Sequence, residues 1–560
     1  MVEWLAGAGV GRGDLVALTV APGVGLGLAP AGVSLAVAAD DPAAVVRVVE
    51  DAIRPRWVLW SNDTAVTLAR AGVRLASAWD VAAVQRMLVG GWQSDPARVW
   101  AQLHGLDVTT IPRSGPLDLF SQDEGDGAVR RDGHLQAEWA SGGWATSTDR
   151  LVRWAELASE VAALQQARLD GPQAWATARS ESAAELLCAE LSVDGLPMDR
   201  AVAEGIIAGF VGPRPRNEAE AEAQRRARDE EVLRHAPPGG DFDLRSPGQV
   251  KSLLRWIGIE VPDTRAWRLE SLRDTHSLVE ALLVWRKAER MATTFGYAWL
   301  DQHLGDDGRL RGSWSGSDGA AGRMTASAGL HNMPADMREA VVAEPGHVFV
   351  RADLGQIEPR VLAAVSGDSV LARATTDADL YAPVAAALDV DRATAKVAVL
   401  GAMYGQTTGD GARALHRLRS AYPVAMAYLD EADRSGQVGR DLRTHGGRLI
   451  RMGATNVDDE REARGRSAAQ GRYGRNAMVQ GAAAELFKVW AATVRARAVD
   501  ARIVLCLHDE LLVHAPVEHG EAVARLVDDC LQEAAHRWAP DAGVRFVADV
   551  SVIPRWSDAK

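Results

Sequence analysis

Two carboxylates, Asp353 and Asp509, stand at the ends of apolar runs in the stretches 349–360 (FVRADLGQIEPR) and 503–513 (IVLCLHDELLV). Apolar runs of this length read as buried strands, which puts each acid at the rim of a sheet, open to solvent and substrate. Apolar residues also follow Asp509 and Glu510, so the second stretch reads as a hairpin with its acids at the turn. Two such carboxylates could hold two Mg2+ ions about 3.5–4 Å apart, an arrangement that stabilises the attacking and leaving oxygens of phosphoryl transfer. Taken alone, either Asp would serve as well as a turn former or a helix cap. The residues between them tip the reading toward chemistry.

The stretch 391–405 (DRATAKVAVLGAMYG) spaces Arg392, Lys396, Leu400 and Tyr404 four apart, which aligns them on one face of a helix. An ordinary solvated face is the plain alternative. Like charges four apart cost a helix roughly 0.2–0.5 kcal/mol, so Arg392 and Lys396 gain from an anionic partner. A nucleoside triphosphate supplies one: a planar fork in Arg392, a point charge in Lys396 and a ring in Tyr404 on which a base can stack. Gly401 and Gly405 leave the backbone bare where another group must come close.

These stretches resemble family A DNA polymerases. The segment 353–360 is similar to the family's first palm motif, 392–405 to its fingers helix and 507–513 to its last palm motif. Residues 472–486 (RYGRNAMVQGAAAEL) resemble its minor-groove helix, and 322–334 (GRMTASAGLHNMP) the segment before the first palm strand. Five motifs in the family's order make the resemblance specific.

The resemblance implies that Asp353 and Asp509 bind two Mg2+ ions, with the backbone carbonyl of Leu354 assisting one. It implies that Arg392 and Lys396 grip the triphosphate and that Lys396 protonates the leaving group. Leu400, Tyr404, Gln356, Tyr381 and Glu358 complete the nucleotide site, Glu358 as the group that crowds a ribose 2′-hydroxyl. Arg323, Asn476 and Gln480 would feel the minor-groove edge of the new pair, where every correct pair offers an acceptor in the same place. Asn332, Arg472, His508, Arg286 and Arg290 are further candidate DNA contacts; for Arg286 and Arg290 an ion-pair role with Glu289 is the alternative.

The sequence departs from the family in several places. Leu400 replaces a usual Phe or Tyr, Leu354 and Gly355 a usual Tyr-Ser, Tyr381 a common His, and His331 a Gln. The loop between Arg323 and Asn332 is one residue short. None of these changes touches the metal acids. Two rival classes are a single-subunit RNA polymerase, against which Glu358 argues, and a non-catalytic DNA-binding relative, which would be expected to lose the acids or the Arg/Lys pair.

At 560 residues the chain is too long for one core. A hydrophobic content of 47% and a charged content of 24% are those of a globular protein. No run is apolar enough to cross a bilayer, and no signal peptide is visible, so a cytoplasmic, nucleoid-associated enzyme is expected. Cys188, Cys506 and Cys530 form no paired motif, which leaves neither a disulfide framework nor a zinc site. The net charge of −13 argues against indiscriminate coating of nucleic acid and leaves room for a local basic cleft. Arginines crowd 440–475, where a salt-bridged face is the alternative to phosphate contact. The implied partners are primer–template DNA and dNTPs, with no membrane, and the protein is expected to be a monomer.

The expected architecture is α+β and multidomain: a right-hand polymerase of palm, fingers and thumb, preceded by a ribonuclease H-like α/β domain. The boundaries read as 1–165 for the 3′–5′ exonuclease-like domain, 166–304 for the thumb and connecting helices, 305–368 and 471–560 for the palm, and 369–470 for the fingers. Strands are expected over 15–20, 33–37 and 57–60, a helix over 80–88 and a polar connector near 118–143. Ser246 and Pro247 read as N-cap and first turn of a thumb helix. No Asp-X-Glu occurs before residue 170. Asp63 and Asp149 alone cannot build the family's exonuclease site, so that domain reads as a retained scaffold without proofreading. No 5′-nuclease domain is expected upstream. The 18 tryptophans have no functional reading.

Overall fold

The computed structural model describes all residues except 114–125, 241, 406–410, 454–459 and 560. Parts of the expected polar connector and of the arginine-rich stretch therefore lie outside the described residues. The chain divides into two compact units. The first comprises 1–195, 313–326 and 345–553, and the second comprises 196–312, 327–344 and 554–560.

The first unit begins with a mixed sheet of β1 (Leu15–Ala21), β2 (Gly25–Pro30), β3 (Leu35–Ala38), β4 (Arg56–Leu59) and β5 (Ala78–Asp80). The strand order is β3-β2-β1-β4-β5, with β2 antiparallel to β1 and β3, and β4 and β5 parallel to β1. Strand β2 (GLGLAP) escapes a reading by apolar runs because it is half glycine and small residues. Gly27 is there for packing: a Cβ on it would lie 2.4 Å from the backbone of Leu151 in helix α1 (Thr148–Gln166). Thr19 of β1 donates to the Leu151 carbonyl at 2.6 Å, which locks the same helix onto the sheet. Six of the 18 tryptophans, Trp57, Trp60, Trp79, Trp100, Trp139 and Trp154, are core residues of this region. Asp80 caps the expected helix, which spans Val81–Val89.

Helix α2 (Gly171–Asp194) follows α1 after a break at Asp170 and belongs to the first unit. The division between the two compact units falls at Leu196, inside the stretch 166–304 expected for the thumb and connecting helices. A buried ionic network explains the attachment of α2. Glu181 accepts from Lys488 at 2.7 and 2.8 Å and pairs with Arg448, all three within the core. Lys488 lies on the long helix that spans Glu460–Arg497.

The palm sheet is also in the first unit. It consists of β6 (His347–Leu354), β7 (Arg502–Cys506), β8 (Glu510–Pro516) and β9 (Ala548–Ile553), ordered β7-β8-β6-β9 and antiparallel throughout. The expected hairpin forms between β7 and β8, closed by Leu507 N–H donating to Glu510 O at 2.8 Å. Helix α3 (Ile357–Ser366) leaves β6, helix α4 (Tyr381–Leu388) follows, and helix α5 (Arg392–Tyr404) carries the expected fingers face. Asp391 caps α5, accepting from Thr394 N–H at 2.9 Å, and Gly405 ends it in the left-handed region. Helix α6 is the long helix Glu460–Arg497.

The second unit is mainly helical, with helices Arg200–Val211, Glu218–Leu233, Pro247–Trp256 and Ser277–Thr294. Ser246 caps the third through the Gln249 amide, with Pro247 in the first turn, as its sequence predicts. Arg286 donates to the Thr264 carbonyl and Arg290 to the Asn332 carbonyl at 2.6 Å. Glu289, the alternative partner weighed for both, pairs instead with Arg245 and Arg228. Among the described residues, no helix is long and apolar enough to cross a membrane.

Candidate active site

The register of the palm sheet assembles the acids. Asp353 on β6 lies opposite Glu510 on β8 and opposite Asp549 on β9, so three carboxylates form a row across three strands. Leu354 N–H donates to the Asp509 carbonyl at 2.7 Å, which fixes the hairpin turn beside the end of β6. Like charges directly across a sheet repel. One cation answers them: Arg351, two residues from Asp353 and therefore on the same face, donates to Asp353 at 2.6 Å and to Glu510 at 3.2 Å. It also lies 3.5 Å from Asp549.

The compensation is incomplete. Burial, the Asp509 charge and the carboxylates of Glu510 and Asp549 together lift the Asp353 carboxyl to about 6, against the pull of Arg351. Burial and Glu510 also raise Asp509, with His508 and Arg323 acting the other way. A cluster that holds its protons this tightly lacks positive charge. Its donors are carboxylate oxygens, the hard ligands that Mg2+ prefers. The residues present thus fit a divalent-ion site.

Glu358, in the first turn of α3, is tied from two sides. Arg323 donates to it at 3.0 Å and the Tyr404 hydroxyl at 3.1 Å. Burial raises its pKa despite both partners. Burial and the Glu358 charge raise the pKa of the Tyr404 hydroxyl, and Gln480 on α6 acts on it to lower it. The structure therefore joins Arg323, Glu358, Tyr404 and Gln480, drawn from four separate sequence motifs. Asn476, one turn before Gln480 on α6, is half-buried, and its side-chain carbonyl has no hydrogen-bond partner among the described residues. Arg472 is exposed on the same helix, and a Cβ on Gly405 would press into its side chain at 2.8 Å, so the glycine admits that contact.

The fingers cations are arranged differently from each other. Arg392 does not wait for an anionic ligand, because it already pairs with Asp379 through two of its nitrogens. Lys396, one turn on, is exposed and has no ion-pair partner among the described residues. Gln356, with a positive φ of 54°, donates to Asp379 at 2.9 Å and accepts from the Leu380 amide at 2.8 Å. It positions the acid that holds Arg392. Tyr381 is buried, its hydroxyl pushed up to about 12 by that burial, with the Arg392 guanidinium 5.7 Å from its ring. Leu400 is half-buried against the fingers core, and the Leu354 side chain is fully buried. His508 is exposed beside Asp509, whereas Asn332, Arg286 and Arg290 belong to the second unit.

Sequence reasoning misses Arg351 and Asp379. Both act through partners set by tertiary register, and nothing in their local sequence distinguishes them from surface charges.

The first sheet has no comparable cluster on its central strand. β1 presents Leu18, Thr19, Val20 and Ala21 and no carboxylate. Asp63 sits exposed at the start of a helix, accepting from Ser61, and Asp149 lies in the first turn of α1.

Residues 215–558 match the family described as "DNA polymerase family A". DNA polymerase I of Chloroflexus aurantiacus is 32% identical over 365 residues, covering 57% of this chain and 38% of that protein. The thermostable DNA polymerase I of Thermus thermophilus is 27% identical over 516 residues, covering 80% of this chain and 58% of that protein. The chain thus spans less than two thirds of the length of these relatives. The fold is similar to that of the POL domain of Pol1 from M. smegmatis, solved in complex with DNA primer-template and dNTP. That match has a TM-score of 0.71 at 20% identity and covers 99% of this chain and 98% of that one. Palm sheet, fingers helix and sequence match agree, and the chain belongs to DNA polymerase family A.

Proposed function

We propose that the chain is a template-directed DNA polymerase that adds deoxynucleotides to a primer 3′ end, in repair or gap filling, without proofreading. The observation that carries this reading is the row of Asp353, Glu510 and Asp549 beside Asp509, together with a helix that displays Arg392, Lys396 and Tyr404 and whose Tyr404 donates to Glu358. Two Mg2+ ions on Asp353, Asp509 and the Leu354 carbonyl would supply activation of the primer hydroxyl and neutralisation of the leaving pyrophosphate. Everything else falls to the chain's own groups.

Arg392 offers phosphate oxygens a bidentate fork once it leaves Asp379, an exchange of one anion for another that costs little electrostatically. Lys396, exposed and uncommitted, is free to bind the triphosphate and to give a proton to the leaving oxygen. Glu358, held between Arg323 and Tyr404, is too constrained to swing away from a 2′-hydroxyl, which favours a deoxyribose. Arg323, Asn476 and Gln480 test the minor-groove edge by geometry. Arg472, His508, Asn332, Arg286 and Arg290 would contact the DNA. The first sheet, with no acid on β1, serves as a ribonuclease H-like scaffold for the palm. The protein would act as a monomer on nucleoid DNA.

Primer extension with Mg2+ and either dNTPs or rNTPs tests the reading. Extension with dNTPs in excess over rNTPs is expected. Extension only with rNTPs would make this an RNA polymerase, and none with either would leave a DNA-binding relative.

A further inference from the structure

A second concentration of basic groups lies on the first 195 residues and at the start of β7, at the end of that strand away from Asp509. Leu15 at the start of β1 is the register partner of Arg56 at the start of β4. A cavity of about 420 Å3 opens there, with Arg56, Arg179, Trp79, Trp175 and Gln166 among its walls. The Arg179 guanidinium lies over the Trp175 ring, 5.7 Å from its centroid, and that ring is 5.9 Å from Trp79. Arg56 donates to the Ala78 carbonyl at 3.3 Å; burial and the Arg179 charge lower its pKa. Among the described residues, neither guanidinium has an ion-pair partner. Arg56, partly desolvated and near enough to feel the Arg179 charge, gains from an anion between the two.

Arg56 and Gly13 also line an adjoining cavity of about 790 Å3, where Arg12, Arg54 and Arg502 add three more guanidinium groups without ion-pair partners. Most acids near these walls are already engaged. Glu50 accepts from Trp57 and from the Ala76 amide, Glu190 pairs with Arg74 and Arg495, and Asp14 accepts from Gly11. Asp51 alone is uncommitted. In a chain of net charge −13, seven arginines against four carboxylates on the walls of these two adjoining cavities reverse the local sign.

We propose that these cavities form a binding track for single-stranded nucleic acid. One base lies against Trp175, its phosphates meet Arg179 and Arg56, and the following phosphates run along Arg54, Arg12 and Arg502. Stacking on an aromatic face combined with a cationic groove is how proteins hold single strands without reading sequence. A free nucleotide would use only the first cavity, and the second cavity's arginines favour a polymer. The track is not the position of a proofreading site. Asp149 starts α1, whereas Gln166 ends it, about 25 Å away at 1.5 Å per residue. Asp63 follows the far end of β4 from Arg56.

The test uses the full chain with a saturating primer–template hairpin and measures anisotropy of a fluorescein-labelled dT12 oligonucleotide. Binding of dT12 should persist beside the hairpin and weaken steeply with salt, as phosphate contacts require. Arg179→Gln, at an exposed position, should weaken it at least tenfold while melting temperature and primer extension stay at parent values. Trp175→Ala should weaken it as much with primer extension unchanged and some loss of melting temperature, because the ring packs against the core. Arg56→Gln should do the same to the oligonucleotide. Complete displacement of dT12 by the hairpin, or parent affinity in all three variants, overturns the proposal. So does competition by dTMP at the concentrations where unlabelled dT12 competes, because the site would then hold a single nucleotide.

Discussion

Arg351 donates to Asp353 at 2.6 Å along one face of β6, so the acid expected to bind metal already has a cation in contact. The contact does not bring the Asp353 carboxyl down to its usual range; it stays at about 6 against an ordinary 3.8. The folded chain therefore holds a proton there that the unfolded chain releases. In metal-free protein the resulting stability is complete below about pH 4 and is lost as pH rises to about 6. The loss is on the order of 1 kcal/mol, discounted because Asp353 is about a third exposed. Thermal melting at pH 5 and 7.5, with and without Mg2+, measures this. Mg2+ should raise the melting temperature more at pH 7.5, and Asp353→Asn should remove most of the difference. An equal Mg2+ effect at both pH values in parent and variant would rule out this linkage.

Asp353→Ala and Asp509→Ala should each abolish nucleotide addition while leaving melting temperature and duplex affinity near the parent values. Neither side chain is part of a core: Asp353 is partly exposed at the sheet rim, and Asp509 is exposed at the hairpin turn. A variant that still extends a primer at close to the parent rate would remove that residue from the metal set.

Much of this site is legible in the sequence because its parts are local. Strand β6 and the β7–β8 hairpin follow from apolar runs, helix α5 from its cap and four-residue spacing, and the thumb helix from Ser246-Pro247. What is not legible depends on register between distant segments. Asp353 meets Glu510 and Asp549 only after the sheet has formed, and Arg351 acquires its role at the same moment. Asp379 is invisible for the same reason, since Gln356 orients it toward Arg392. Strand β2 hides because Gly27, which lets Leu151 approach, removes the apolar signal. The attachment of α2 hides because its deciding contacts are charges in the core, where pattern reading expects apolar residues.

Those charges carry their own prediction. Burial opposes ionisation of Glu181, yet Arg448 and Lys488 hold it below the usual carboxylate range. Glu181→Ala leaves two buried cations without their shared anion, a change that costs about 3–5 kcal/mol in comparable cores. The unfolding midpoint in urea should fall accordingly. Glu181→Met with Lys488→Met should recover part of the loss, because the desolvated charge leaves with its partner. A Glu181→Ala midpoint within error of the parent would mean that water reaches the network.

Glu358→Ala should raise ribonucleotide incorporation far more than it lowers deoxynucleotide incorporation. The carboxylate is fixed between Arg323 and Tyr404, so in the parent it cannot yield to a 2′-hydroxyl; truncation relieves a clash with one sugar and only loosens the fit of the other. Tyr404→Phe separates fixation from bulk. It keeps the ring and the carboxylate but removes one of the two hydrogen bonds, so a smaller relaxation in the same direction is expected. Leu400, the non-aromatic residue expected beside the sugar, should set a looser starting point for both variants. The quantity to measure is kcat/KM for a matched rNTP divided by that for the dNTP. A ratio unchanged in Glu358→Ala makes Glu358 a structural acid. A ratio that rises in Glu358→Ala but not in Tyr404→Phe shows that bulk alone excludes the ribose and that the hydrogen bond from Tyr404 serves the fingers helix instead.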